Sequence, residues 1–138
     1  MTVKEYLSRI GRIDLMIQNK LSEYYQIQTL VYSISSPIGG DKVQTSGGSD
    51  RMSSAVVKMV DIEKSLENLT AQRNKIVSEI ETVEDADLYD VLAKRYILGM
   101  SNKEIAFEKQ ESERNIAILM QKGMEVFAEM YGFSVDFI

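Results

Sequence analysis

Positions taken from Val3 at alternating steps of three and four residues are Val3, Tyr6, Ile10, Ile13, Ile17, Lys20, Tyr24, Ile27, Val31 and Ile34. All but Lys20 are apolar, so the segment reads as one long amphipathic helix with a coiled-coil-like seam. Gly11 lies inside it at a cost of about 1 kcal/mol relative to alanine, which a pattern this regular outweighs. The same alternation resumes with Met52, Ala55, Met59, Ile62, Leu66, Leu69, Arg73, Ile76, Ile80 and Val83, where Arg73 is the one charged exception. A helix from about Asp50 to Glu81 is too long to stand alone, and the first helix, of matching length, is the natural cover for its seam. Residues 1–82 are therefore expected to fold as an antiparallel helical hairpin, with the same seams able to pair between chains in a homodimer. Lys20 and Arg73 are expected to reach solvent along their aliphatic stems.

Between the two patterns, residues 35–50 contain the only proline, Pro37, and the pairs Gly39-Gly40 and Gly47-Gly48. That composition predicts a mobile linker.

Beyond residue 82 the pattern shortens. Thr82-Val83-Glu84-Asp85 has the character of a helix start, and Leu88, Val91, Leu92, Tyr96 and Ile97 mark one face of a helix stopped by Gly99. Ser101-Asn102-Lys103-Glu104 is a capping box, so a second helix starts at Asn102. Ser112 can cap a third, running from Glu113 to about Tyr131. A short helix, a tight turn and a longer helix give the outline of a helix-turn-helix, with Ile105, Ala106, Ile116 and Leu119 as its expected common core. The fold expected is all-α: a hairpin arm over residues 1–82 and a trihelical helix-turn-helix domain over residues 83–138. Ile116, Ile118, Leu119, Met120, Met124, Val126, Phe127, Met130 and Tyr131 exceed one stripe and predict a last helix buried on two sides, with Phe133, Val135, Phe137 and Ile138 extending the apolar surface.

Composition narrows the chemistry. The chain has no cysteine and no histidine, which removes disulfides, thiolates, zinc fingers and the commonest general base. A non-enzymatic protein without a cofactor is expected. The acids Glu84, Asp85, Asp87 and Asp90 are read as a solvated helix start rather than a cation site, and neither glycine pair has the Lys-Ser/Thr of a phosphate loop. With no long apolar run, neither a signal peptide nor a membrane span is expected, and the cytoplasm is the expected location. Residues 1–82 carry 10 basic and 10 acidic side chains and residues 83–138 carry 6 and 11, so the net charge of −5 belongs to the second part. That balance opposes nonspecific attraction to a phosphate backbone.

Tyr89-Asp90-Val91-Leu92-Ala93-Lys94-Arg95-Tyr96-Ile97, followed by Gly99, Ser101, Glu104-Ile105-Ala106 and Ser112-Glu113-Arg114-Asn115-Ile116, resembles the region-4 domain of sigma-70-type factors. More closely, it resembles small phage and prophage proteins of Gram-positive bacteria described as sigma-like factors or late-transcription regulators. The likeness reaches upstream to Val43-Gln44-Thr45-Ser46 and Val57-Lys58-Met59. It implies a transcription regulator that binds promoter DNA, RNA polymerase or both. In such proteins the third helix enters the major groove. Carried over by position, Ser112, Glu113, Arg114, Ala117, Ile118 and Gln121 would face the bases, with Lys103 and Lys122 on phosphate. Arg114 suits guanine and Gln121 suits adenine. The turn departs from the family pattern: Lys109-Gln110-Glu111 stands where an apolar residue and a glycine usually close the motif. The competing reading is a structural or adaptor protein, akin to a packaging small subunit, that oligomerises through these helices without reading bases.

Overall fold

The computed structural model describes residues 1–35 and 46–135. The described chain is all-α, as the periodicity predicts. In order it comprises α1 (Val3–Leu7), α2 (Arg9–Ser35), α3 (Ser46–Ile80), α4 (Ala86–Leu92), a π-helical turn (Ala93–Ile97), α5 (Asn102–Lys109) and α6 (Glu113–Tyr131). No described helix is long and apolar enough to cross a membrane.

The chain divides differently from 1–82 and 83–138. One compact unit joins Met1–Asp14 to Gln72–Ile138, and the other is Leu15–Ala71, so both boundaries fall inside α2 and α3. The cause is a chemical clasp between the two ends of the chain. The Val3 amide donates to the Ser134 carbonyl at 2.9 Å, and the Ser134 hydroxyl donates to the Met1 carbonyl at 3.2 Å. Tyr6 stacks on Phe133 with ring centroids 4.5 Å apart and also meets Phe127, which is fully buried. Tyr6 donates its hydroxyl proton to Glu79, and Thr82 and Tyr131 hydrogen bond at 2.6 Å. This aromatic cluster of Tyr6, Phe127, Tyr131 and Phe133 packs the N-terminal turns onto α6.

Within this unit the expected seam is buried: Val3, Tyr6, Ile10, Ile13, Ile76, Ile80 and Val83 all lie in the core. The single helix expected from Val3 to Ile34 is interrupted at Ser8, whose ψ of −14° loosens one turn while its amide still bonds the Lys4 carbonyl at 3.0 Å. Arg73 does not run out to solvent. Its Nε donates to the Asp14 carboxylate at 2.6 Å, an inter-helix ion pair on a part-buried seam.

In the unit Leu15–Ala71, α2 and α3 run antiparallel, held by a Tyr24–Glu63 hydrogen bond of 2.8 Å and a Lys58–Glu23 ion pair of 3.5 Å. Lys20 pairs with Glu23 on its own helix at 3.7 Å. Among the described residues here only Ala55, Ile62 and Leu69 are buried, while the other seam positions are half-buried. Part of the expected linker is helical: α3 begins at Ser46 rather than Asp50. Extending a nucleated helix costs far less than starting one, so even Gly47 and Gly48 are recruited. Residues 36–45 of that linker lie outside the described residues, as do Phe137 and Ile138 at the end of the chain.

Candidate nucleic-acid interface

Each helix of the C-terminal segment starts on a side-chain cap, which satisfies amides that have no partner within the helix. Asp85 accepts from the Asp87 and Leu88 amides at 3.0 and 3.1 Å and starts α4. Ser101 and Glu104 form the reciprocal capping box expected of them, both bonds being 3.1 Å, and α5 follows. Ser112 accepts from the Asn115 amide at 3.0 Å and starts α6. The hydrogen bond from the Ser101 amide, joined by that from its side chain, holds the Glu104 carboxyl below its ordinary pKa.

The helix after α4 widens before it stops. The Leu98 amide bonds the Ala93 carbonyl and the Met100 amide bonds the Lys94 carbonyl, each at 3.0 Å, and Gly99 then takes φ +72°, a conformation glycine adopts without strain. At the end of α5 the same left-handed conformation falls on Gln110, with φ 56° and ψ 45°. The Glu111 amide reaches back to the Ala106 carbonyl at 2.9 Å, which closes the turn in the manner of a Schellman cap. Gln110 thus holds a backbone conformation that glycine adopts without strain.

The packing between α5 and α6 rests on Ile105 and Ala106 from one helix and Ile116 and Met120 from the other, all buried. Leu119, expected in this core, is only half-buried, and Met120 occupies the inner position instead. The helical register explains the exchange: Met120 follows Ile116 by four and precedes Phe127 by seven, which aligns it with the buried row. Nor is α6 covered on two sides, because Ile118 and Met130 are 45% and 46% exposed. Its buried row includes Gly123, where a Cβ would stand 3.1 Å from Leu92 Cγ, so α4 and α6 approach closely at this point.

The residues expected to meet DNA are all accessible. Arg114, Ala117, Ile118 and Lys122 are exposed and Gln121 is half-buried. Their spacing of i, i+3, i+4, i+7 and i+8 places them on the face of α6 away from the buried row. Ser112, Glu113 and Lys103 are exposed as well. Two members of the set are already engaged: Ser112 by its capping bond, and Gln121 by a 3.3 Å bond from its amide to Glu125. Glu111 accepts from the Asn115 side chain at 2.7 Å.

A group that sequence reasoning missed sets the electrostatics. Asp90, on α4, accepts from both Lys94 and Lys109, and Lys94 also lies 3.7 Å from Glu108. Burial alone would push the Asp90 carboxyl up, but the hydrogen bonds from Lys109 and Lys94 outweigh it, and its pKa lies below the ordinary carboxylate value. Lys94 is correspondingly held above the usual lysine value by its bond to Asp90. The cluster ties α4 to α5 but removes Lys109 from the cations available to a ligand. Between Ser101 and Tyr131 this leaves Lys103, Arg114 and Lys122.

Phe107, which the sequence pattern did not single out, is 89% exposed on α5, and Leu98 nearby in sequence is 66% exposed. Met100, Lys103, Glu104, Phe107 and Glu108 border one shallow depression. Of the acids around the start of α4, Asp85 caps the helix and Asp90 holds the lysine cluster, and no group of three potential metal ligands occurs among the described residues. Comparisons with protein-family models, curated proteins and solved structures find no match for this chain.

Proposed function

We propose that this protein is a phage-derived transcription regulator in which α5 and α6 act as a region-4-like helix-turn-helix that contacts promoter DNA, RNA polymerase or both, without catalysing a reaction. One observation carries this reading: α6 starts on a Ser112 cap, is locked to α5 through Ile116 and Met120, and presents Arg114, Ala117, Ile118, Gln121 and Lys122 together on its outer face. Arg114 is the best-suited base reader, since its guanidinium can pair with guanine in two places. Lys103 and Lys122 are the phosphate contacts. With three cations in play, DNA affinity should fall with salt at a log–log slope no steeper than about −3.

Protein contact is the second reading, and the exposed Phe107 and Leu98 favour it together with the acidic balance of this segment. On it, α5 docks polymerase or an adaptor partner while α6 leaves bases unread.

Fluorescence anisotropy with a labelled promoter duplex, at low and at moderate salt, tests the first reading. Saturable binding weakened about tenfold or more by Arg114→Ala supports base reading. Absence of saturable binding, or indifference to Arg114→Ala, removes it. Capture of purified polymerase, lost on Phe107→Ala, then tests the protein reading.

A further inference from the structure

We infer that the groove between α2 and α3 in the unit Leu15–Ala71 is the seat of a second copy of this chain, so that two arms close into one four-helix bundle. The inference stands on the arm alone and does not depend on what α5 and α6 bind. Two helices side by side cannot enclose their own seam. Ile17, Ile27, Val31, Met59 and Leu66 accordingly remain half-buried, although the sequence places each at a core step of the heptad alternation. The groove floor carries Ile27, Ala55 and Ile62, and its wall carries Leu30 and Val57, which are 40% and 61% exposed. Two depressions adjoin along it, sharing Ser54 and Lys58 as lining residues.

Charge narrows the occupant. The groove is bordered by Lys20, Lys58 and Arg51 and by Asp61, Glu23 and Asp50, three cations against three acids. A nucleic acid would require a surplus of cations, and a strongly basic or acidic peptide a surplus of the opposite sign. A second identical groove, turned about a two-fold axis, carries the same balance of sign and so requires neither. Residues 15–71 hold five basic and six acidic side chains, so the arm brings little self-repulsion, in contrast to the rest of the chain.

The size is sufficient. Residues 15–35 of α2 span roughly 32 Å at 1.5 Å per residue, and two helices of about 10 Å diameter give a face of roughly 600 Å². Two such faces bury roughly 1,200 Å², the lower bound for a specific interface.

Sedimentation equilibrium of the whole chain from about 1 to 100 µM tests this, with a dimer of twice 15.7 kDa expected. Leu30→Glu and Val57→Glu place an unmatched acid in the groove wall and should each weaken the dimer at least about tenfold, with helix content by circular dichroism unchanged. Tyr25→Glu is the control: Tyr25 is 58% exposed and lies about 140° around α2 from Leu30, so it should leave the dimer intact. A monomer throughout the range overturns the inference. So does a dimer indifferent to both groove variants, or one broken equally by Tyr25→Glu. A chain that gains mass only when duplex DNA or polymerase is added likewise overturns it.

Discussion

Two glycines in the same compact unit should respond to the same substitution with opposite sign. Gly11 lies on the exposed side of α2, and a methyl group placed there meets nothing within 4 Å. Gly11→Ala should therefore show the plain helix-propensity gain, about 0.5–1 kcal/mol. At Gly123 the same methyl stands 3.1, 3.3 and 3.4 Å from the Cγ, Cδ1 and Cδ2 of Leu92. Comfortable carbon contacts begin near 3.5 Å, so Leu92 must retreat by a few tenths of an ångström. It is fully buried, as are Val91 beside it and Phe127 one turn along α6, so the displacement is passed into packed neighbours. Overpacking of this kind costs about 1–3 kcal/mol, which outweighs a propensity gain of about 1 kcal/mol and leaves Gly123→Ala destabilising by roughly 1 kcal/mol. Urea unfolding followed by far-ultraviolet circular dichroism measures both variants, and the gap between them, about 2 kcal/mol, isolates the packing contribution. In a Leu92→Ala background the Gly123 methyl has room, and the penalty should shrink toward zero. If Gly123→Ala stabilises as much as Gly11→Ala in the otherwise unaltered chain, α4 and α6 do not approach each other as described and the reasoning fails.

Gln110→Gly should stabilise the protein by about 1 kcal/mol, because Gln110 holds a left-handed backbone that glycine adopts freely, and the same unfolding assay reads it. The Asp90 cluster predicts a pH dependence. A carboxyl depressed in the folded state contributes stability above its unfolded pKa of about 3.9 and loses it as pH falls through the lower folded value, so Asp90→Asn should flatten the acid limb of a stability–pH curve. At the basic end, burial and the hydrogen bond to Glu79 raise Tyr6 from 10.0 to about 12. Its contribution is complete below pH 10 and lost as pH rises toward 12, and in an absorbance titration near 295 nm Tyr6→Phe should delete a tyrosine that ionises late.

Local chemistry made the element boundaries of the C-terminal segment legible. Ser101 with Glu104, and Ser112, form the caps that their spacing predicts, because a cap involves only residues three apart. The seam alternation likewise marks which faces turn inward, since helical period alone decides that. Sequence could also place Arg114, Ala117, Ile118 and Lys122 on one outer face of α6, and all four are exposed. It passed over Phe107 because a lone aromatic beside Ile105 and Ala106 carries no periodic signal, and only its lack of neighbours distinguishes it from a core residue.

The helical class, the caps and the facing of the apolar rows all follow from interactions within a few residues, and so can be read along the chain. Packing in three dimensions settles the rest. It brings Met1–Asp14 into the unit that contains α6, through Val3, Tyr6, Phe133 and Ser134. It gathers Lys94 and Lys109 on Asp90, and so lowers the number of cations available to a ligand below the number present. It also sets Gly123 against Leu92. These contacts join residues distant along the chain, and their energies depend on packing geometry, for which no pattern in a single sequence holds a record.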